Sequence, residues 1–319
     1  MKILWNLLVF ADRDNNQLIY MNAAKKEYNI IISNHVNKEG LYMKKFSLII
    51  IFLLILAVSA NSAVIISVRL GYLTKLNTTE ENFKSIIESS NNTNDWSIFK
   101  PHHEIFGVKF YDSLQIMQMA LNANEIDEMV LPEMTAIYLT NINPDYVICC
   151  ASRSHNPMSL AFGFRKDILS QALAKNFNNA IKSMEDDFTL AALQGEYINS
   201  SVEYKPVKMP KFPGKETIKI AVTGDMPPID YIAPDGEPAG FNTALLAEIA
   251  KRLEINIEIL QINSGSRTAA LISGRADVIF WYETSKNFAY NADAPEDIIL
   301  SEPYYNWNTF LHVNLKHSH

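Results

Sequence analysis

The stretch KIAVTGDMPPIDYIAPDGEPAGFNTALLAEIAKRLEINIEI, residues 219–259, decides the fold. Its opening residues, up to Gly224, are mostly apolar and β-branched, as in a buried strand. The Pro-Pro and Asp-Gly pairs that follow are turn signals. Apolar residues at helical spacing then predict a helix over 242–253, and INIEI predicts a second strand. A strand, a helix and a strand in this order indicate a parallel α/β unit.

The same alternation continues through residues 64–315, which predicts α/β architecture with mostly parallel pairing. The predicted strands are 68–74, 107–113, 126–131, 146–151, 160–164, 218–224, 255–260, 276–280 and 309–313. The predicted helices are 82–90, 113–123, 133–139, 168–184, 188–197, 242–253 and 267–273. Residues 199–215, with three Pro and four Lys, predict a linker. The sequence shows no internal repeat.

Composition argues against a nucleic-acid partner. The chain of 319 residues has a formal net charge of −7 and no cluster of Lys or Arg. Its two cysteines, Cys149 and Cys150, are adjacent, and a disulfide between neighbours is strained. We therefore expect them to be two small apolar residues in a buried strand.

An export signal begins at Met43, not at Met1. Residues 43–63 combine a short basic start, the apolar run FSLIIIFLLILAV and small residues, which predicts a signal peptide cleaved after Ala60 or Ala63. The alternative is an uncleaved N-terminal anchor. Residues 38–40, Lys-Glu-Gly, are what a ribosome-binding site would encode, so we interpret residues 1–42 as an over-extended gene start. The expected location is periplasmic or extracellular.

Several motifs are similar to those of one protein family. The first 40-odd residues of the C-terminal part, quoted above, are followed by ALISGRADVIF (270–280) and SEPYY (301–305). Earlier in the chain come IMQMALNANEIDEMVL (116–131) and LAFGFRKDILSQALAKNFNNAIKSMEDDFTLAALQGEYI (160–198). Together they resemble the amino-acid-type periplasmic solute-binding proteins of ABC transporters, with the two halves of the family pattern in reversed order.

This resemblance implies a two-lobed Venus-flytrap fold that is circularly permuted, with a ligand cleft between the lobes. The expected parts are lobe two (64–160), return helices that pack on lobe one (161–198), the linker (199–215), lobe one (216–308), and a crossover strand with the C-terminal tail (309–319). The crossovers between the lobes would be 160–164 and 309–313, neither of which contains a Pro. Two gene fragments, or a domain-swapped dimer, are the alternatives.

The resemblance also places candidate ligand-binding residues at strand ends and helix starts. They are Asp225, Met226, Tyr231, Arg267, Trp281, Tyr282, Glu283 and Thr284 in lobe one, and Thr74, Asn77 and Glu133 in lobe two. An aromatic ring here can stack on a solute, and an Arg can bind a carboxylate with two hydrogen bonds. The alternatives are that Trp281 and Tyr282 are packing residues and that Arg267 is a solvated helix residue.

The sequence departs from the family pattern at two positions. Members that bind α-amino acids carry an Arg after the DVI strand, whereas residues 281–291 here read WYETSKNFAYN. They also carry an Asp after the second such strand, where this chain has Pro132 followed by Glu133. Arg267 and Glu133 could substitute for the missing anchors.

Binding is therefore the expected function: capture of a small polar solute, an amino acid or related compound, for an ABC permease, by a monomer. A degenerate or sensory protein that binds a partner is the alternative, and a periplasmic dehydratase-type enzyme is a further one. We expect no catalytic residues, cofactor or metal ion. The sequence lacks the hydrolase, protease and phosphate-loop motifs, and its His clusters are the adjacent His102-His103 and the terminal 317–319.

Overall fold

The computed structural model describes residues 66–92, 103–199, 206–285 and 293–316. The strands are β1 (Ile66–Leu73), β2 (His103–Tyr111), β3 (Glu128–Pro132), β4 (Tyr146–Arg165), β5 (Thr217–Val222), β6 (Asp225–Met226), β7 (Asp230–Ile232), β8 (Pro238–Ala239), β9 (Asn256–Gln261), β10 (Val278–Thr284), β11 (Ile298–Leu300) and β12 (Tyr305–Leu315). The helices are α1 (Glu80–Asn92), α2 (Leu114–Asn122), α3 (Glu133–Ile142), α4 (Ile168–Asp186), α5 (Thr189–Tyr197), α6 (Phe241–Leu253) and α7 (Arg267–Ile272). The predicted signal peptide and gene start lie outside the described residues.

The main sheet has the strand order β2-β1-β3-β12-β4-β10-β5-β9. The pattern of strand pairing is the same on both sides of the central pair, β12 and β4. On one side β1 pairs in parallel with β2 and β3, and β3 is antiparallel to β12. On the other side β5 pairs in parallel with β9 and β10, and β10 is antiparallel to β4. The side built on β5 is lobe one, and the side built on β1 is lobe two. The predicted α/β class is confirmed, but the prediction of mostly parallel pairing is wrong. The long strands β4 and β12 run antiparallel to each other and to their neighbours, so the described part of this sheet has as many antiparallel pairs as parallel ones.

The two lobes repeat one structural unit that the sequence did not reveal. In each, the turn before the third strand of the unit places an aspartate against the first strand. Asp127 Oδ2 accepts a hydrogen bond from Arg69 N at 2.7 Å, and Asp277 Oδ2 accepts one from Lys219 N at 2.9 Å. The same turns contain Asn124 and Gly274, both with positive φ, at 55° and 73°. The halves are thus similar in structure as well as complementary.

Two long strands join the lobes. We predicted separate strands at 146–151 and 160–164, but β4 is continuous from Tyr146 to Arg165, and β12 is longer than predicted. β4 contains Pro157, which lies where the pairing with β12 shifts between Trp307 and Thr309. A proline is tolerated at such an irregularity because no ladder hydrogen bond from its nitrogen is required there.

Helices cover the sheet and bury an apolar core. α4 begins after Asp167, whose Oδ1 accepts a hydrogen bond from Ser170 N at 2.8 Å. α4 and α5 pack against α6 of lobe one, and Arg252 of α6 donates hydrogen bonds to Ser183 at 2.6 Å and Asp187 at 2.7 Å. Among the described helices, none combines the length and the apolar composition that a membrane span requires.

Candidate functional site

The carboxyl ends of β1 and β5 meet where the two lobes contact each other. From lobe two come Thr74 and Lys75, directly after β1, and Asp112, directly after β2. From lobe one come the residues after β5 and the start of α7. Ser264 N, just before α7, donates a hydrogen bond to Asp112 O at 3.0 Å. Polar groups at the carboxyl ends of parallel strands are the usual location of a binding site in α/β proteins.

Arg267 is the centre of this contact, and it is completely buried at 0% exposure. Its guanidinium pairs with both oxygens of Asp293, at 2.7 and 2.9 Å. The remaining donors reach three backbone oxygens: Ser264 O at 3.0 Å, Trp281 O at 3.2 Å and, across the lobes, Thr74 O at 3.0 Å. All five N–H groups of an arginine are thereby used. The alternative that Arg267 is a solvated helix residue is wrong.

Trp281 and Tyr282 pack inside the protein. The Arg267 guanidinium lies 4.1 Å from the centre of the Trp281 ring and 5.2 Å from that of Tyr282. Trp281 Nε1 donates a hydrogen bond to Thr223 Oγ1 at 3.2 Å. The Tyr282 ring lies so close to Gly163 that a Cβ there would collide with it. Both rings are therefore packing residues that hold Arg267 in place through cation–π contact.

Lys75 and Glu283 form a buried ion pair across the lobes. Their side chains are only 8% and 6% exposed. The backbone N–H of Glu283 also donates to Asp293 Oδ2 at 2.7 Å, which links this pair to the one at Arg267. Removing either member of such a pair leaves the other charge buried without compensation, which is strongly unfavourable.

Asp225 connects lobe one to the start of a lobe-two helix. Its Oδ1 accepts a hydrogen bond from Leu114 N, the first residue of α2, at 2.9 Å. A helix N-terminus carries partial positive charge and unpaired N–H groups, so it favours an anion. Burial nevertheless raises the pKa of Asp225 to about 7, opposed by that hydrogen bond and assisted by the nearby charge of Asp230.

Thr74, Lys75, Asp112, Asp225, Arg267 and Glu283, which meet across the lobes, form what we call the contact zone. The other predicted site residues lie partly in this zone and partly outside it. Thr74 Oγ1 donates to Asp112 Oδ1 at 2.6 Å, beside the ion pairs. Met226 is buried in the core. Tyr231 lies 5.8 Å from Tyr138 of α3, ring centre to ring centre. Three further predicted residues are partly or fully exposed: Asn77, Glu133 and Thr284.

An open groove of about 800 Å³ lies beside the joining strands. Ser159 and Asn306 line it and are hydrogen-bonded to each other at 2.6 Å. Lys182 and Glu185 of α4 and Glu302 line its walls. Its charges are solvated surface groups, unlike the buried pairs between the lobes.

One group of described residues could hold a metal ion. Glu128, Cys150 and His312 offer ligand atoms within 4.8 Å of one another, at the end of β3 that lies away from the contact zone.

Sequence reasoning missed several residues of the contact zone. Lys75 lies between two residues that we selected, and its position directly after β1 was the available signal. Asp293 lies in an Asn- and Asp-rich loop with no distinguishing pattern. Asp112 fell inside the predicted strand 107–113, and it had no pattern that pointed to an inter-lobe contact.

The C-terminal part of the sequence is similar to one protein family. Residues 218–315 match the bacterial extracellular solute-binding proteins, family 3. This chain resembles that family. The stretch includes β5, α6, β9, α7, β10 and the joining strand β12. The resemblance inferred from the sequence motifs is thus confirmed. No curated protein matches the chain.

Three solved structures that are similar to this chain are named for binding or transport. The ligand-binding component of an ABC-type import system from Staphylococcus aureus, with zinc bound, has a TM-score of 0.40 and 10% identity, covering 78% of this chain and 66% of that one. The periplasmic aliphatic sulphonate binding protein from Escherichia coli has a TM-score of 0.36 and 12% identity, with coverage of 79% and 65%. A putative L-cystine ABC transporter protein from Listeria monocytogenes has a TM-score of 0.36 and 12% identity, with coverage of 80% and 84%. The chain spans about two thirds of the length of the Staphylococcus aureus and Escherichia coli proteins.

Proposed function

We propose that this chain is an extracytoplasmic solute-binding protein that captures a small polar solute between its lobes and delivers it to an ABC permease. The observation that carries the proposal is the buried Lys75–Glu283 pair, with one charge supplied by each lobe. The family match of residues 218–315 supports the same function.

The charges of this pair favour a zwitterionic solute. In the contacting lobes, Lys75 and Glu283 satisfy each other. A solute that enters between them must offer each a partner of opposite sign, because a buried charge left unpaired is strongly unfavourable. A carboxylate on the solute would pair with Lys75, and an ammonium group would pair with Glu283. An amino acid or a related compound carries both groups.

Arg267 has a positioning role in this proposal. Its donors are fully used, and displacing Asp293 would separate a second buried carboxylate from its cation. We assign solute contact to Lys75, Glu283 and Thr74, with Asp225 at the start of α2. Arg267 orients β10 and the end of β1 around them.

The experiment compares zwitterionic amino acids with their N-acetyl and amide analogues, by isothermal titration calorimetry on the full chain. We expect binding of one class of zwitterion and at least about tenfold weaker binding when either charge is removed, since that loss leaves a buried group unpaired. Lys75→Met and Glu283→Gln should each abolish the preference. Lys109→Gln, which breaks an exposed lobe-two ion pair with Glu125, is the matched control and should bind normally. Equal binding of charged and neutral analogues would contradict the charge assignment.

A degenerate or sensory role is the second candidate, and one observation favours it. The ion pairs between the lobes are complete without any solute. A cleft stabilised by its own charges can remain shut and present one fixed surface to a protein partner. A folded chain that binds no solute, and whose wild-type and Glu283→Gln forms both retain one specific membrane-protein partner, would favour this role.

We propose further that the chain is a circular permutant. β1 begins and β12 ends at the same end of the lobe-two strands, and β3 lies between them. Measured across the strands, Ile66 and Leu315 are therefore two strand spacings apart, which is roughly 10 Å. A short loop could join them there. In the family order the chain would begin near residue 216 and end near residue 198. Residues 206–216, ahead of β5, would be part of the segment that joins those two ends here.

A chain reconnected in the family order tests the permutation. It would begin near residue 216, pass through 315 and a short Gly-Ser loop to 66, and end near 198. We expect it to be monomeric and to unfold within a few degrees of the original, because permutation at surface loops preserves the packed core. A reconnected chain that fails to fold, or an original chain that is a dimer, would favour domain swapping instead.

A further inference from the structure

A cluster of metal-binding side chains lies on lobe two, outside the contact zone between the lobes. Glu128 of β3, Cys149 and Cys150 of β4, and His312 of β12 come from three neighbouring strands. Glu128 begins β3, four residues before its carboxyl end at Pro132, which corresponds to roughly 13 Å along the strand. The cluster is therefore separate from the proposed solute site.

A β-bulge brings the two cysteines together. His312 pairs with Cys150 and Val313 pairs with Ile148, so Cys149 is an extra residue in β4. Adjacent side chains on a regular strand point to opposite faces, whereas a bulge reorients one of them. The two Sγ atoms are 3.8 Å apart. Two sulfurs bound tetrahedrally to one zinc ion, each at about 2.3 Å, are also about 3.8 Å apart.

The other two ligand groups are already oriented. His312 Nδ1 and Glu128 Oε2 are hydrogen-bonded at 2.7 Å. One ligand atom each from Glu128, Cys150 and His312 lies within 4.8 Å of the others. In a tetrahedral zinc site such atoms are about 3.5 Å apart, so side-chain movements of about 1 Å would complete it. Glu128 is buried, but the expected burial of the two cysteines is wrong, since Cys149 is exposed and Cys150 is half-buried. The cluster is therefore open to an entering ion.

The donor atoms of the cluster suit a cation. Thiolate sulfur, neutral imidazole nitrogen and carboxylate oxygen are the ligand types of zinc. A divalent ion can bind all of these groups directly, and their protons are released as it binds.

We propose that Glu128, Cys149, Cys150 and His312 form a binding site for a borderline-soft divalent metal ion of the zinc type. Mixed sulfur, nitrogen and oxygen donors in a compact group are characteristic of zinc. Cys149, Cys150 and His312 lie on β4 and β12, the two strands that join the lobes, so a bound ion links these strands to each other and to β3. The expected consequence is metal-dependent stability of lobe two.

The test titrates the reduced full chain with Zn²⁺, using a chromophoric chelator as competitor, and with Co²⁺ as a spectroscopic probe. We expect one tightly bound ion per chain, a sulfur-to-cobalt charge-transfer band, the visible bands of tetrahedral cobalt, and a rise in Tm with Zn²⁺. Cys150→Ser and His312→Asn should each weaken Zn²⁺ binding at least about 100-fold, and Glu128→Gln about 10-fold to 100-fold. The double variant C149S/C150S should lose the charge-transfer band.

Glu258→Gln, which changes an exposed glutamate on β9 of lobe one, is the matched control for Glu128→Gln and should bind Zn²⁺ normally. Circular dichroism without metal shows whether each variant is folded. No Zn²⁺ binding by the reduced wild type, unchanged affinity in folded Cys150→Ser or His312→Asn, or a cobalt charge-transfer band that persists in C149S/C150S would overturn the proposal. Lys75→Met should keep its Zn²⁺ affinity, which separates this site from the proposed solute site.

Discussion

Lobe one and lobe two have the same strand order but opposite charge at their contact. Each contains a parallel three-stranded unit with an aspartate that receives a hydrogen bond from the first strand, Asp277 in one and Asp127 in the other. At the contact zone, lobe one supplies the carboxylates Asp225 and Glu283. Lobe two supplies Lys75 and the N-terminus of α2.

The comparison teaches that two kinds of segment have separate roles. The turns before β3 and β10 preserve the fold of each lobe, and the residues after the strands determine what the lobe can bind. Aspartate in the turn repeats because both units need the same hydrogen bonds to close the helix–strand connection. The residues after β1 and β5 have no such constraint, since they face the other lobe. Charge complementarity between the lobes therefore arises in the loops, where function generally resides.

The largest difference between the lobes is Arg267, which starts α7, whereas the matching helix of lobe two starts with Leu114. Arg267→Met leaves Asp293 buried without its partner. We expect the free energy of unfolding to fall by about 5 kcal/mol, as when one member of a buried ion pair is removed. Urea denaturation measures it. Arg275→Met, an exposed position on the same lobe, should change stability by less than about 0.5 kcal/mol. Similar values for both variants would show that the Arg267–Asp293 pair is unimportant.

Asp225 should make the contact between the lobes depend on pH. Its pKa of about 7 in the folded protein exceeds the ordinary value of 3.8, so the folded state keeps a proton that the unfolded chain loses above about pH 4. Stability should therefore fall as the pH rises from about 4 to about 7, by at most about 4 kcal/mol, because one pKa unit corresponds to about 1.4 kcal/mol. Asp225→Asn should remove this decline and be the more stable form at about pH 8.

Unfolding of both forms at about pH 4, 6 and 8 measures the difference. Asp186→Asn, an exposed residue of α4, controls for general effects of charge. Parallel pH profiles for wild type and Asp225→Asn would contradict the expected dependence.

The matching aspartates should have similar effects in the two lobes. Asp127→Ala and Asp277→Ala each remove a hydrogen bond from a backbone N–H to a carboxylate, and we expect each to reduce stability by about 1.5 kcal/mol. Asp127 also pairs with the Arg69 guanidinium at 2.7 Å, but this pair is partly exposed and adds less than about 1 kcal/mol. Guanidinium denaturation measures both. A large effect in only one lobe would show that the units are not equivalent.

The smallest expected effect is at the positive-φ residue of each turn. Gly274→Ala places a side chain at φ 73°, where no atom crowds it, so only backbone strain contributes. We expect a loss of about 1 kcal/mol. Asn124→Gly, at φ 55°, should change stability by less than about 0.5 kcal/mol, since Asn already tolerates this conformation. Thermal unfolding measures both, and no loss in Gly274→Ala would indicate that the turn rearranges.

Most helices and strands could be predicted from the sequence because their patterns are local. The helices over 168–184 and 242–253 occur within two residues of the predicted bounds. The continuity of β4 could not be predicted. Pro157 and its polar neighbours interrupt the apolar pattern, whereas in the structure β12 pairs with β4 on both sides of that segment.

The sequence pointed to some residues of the contact between the lobes, but not to the contacts that they make. Arg267 and Glu283 were selected because one starts a helix and the other follows a predicted strand, and both contact residues of lobe two. That Trp281 packs internally and that Arg267 is fully paired depends on Asp293, which no pattern identified. The metal-binding cluster was missed because adjacent cysteines imply opposite directions on a regular strand, and a bulge leaves no mark in a single sequence.

The sequence by itself determined the α/β alternation and the resemblance to solute-binding proteins, because these depend on residues close together in the chain. Only the tertiary structure decided which charges meet. Lys75 and Glu283 are separated by 208 positions, and their pairing results from two long strands that bring both lobes together. The energy of a buried charge depends on its partner and its burial, and neither is local.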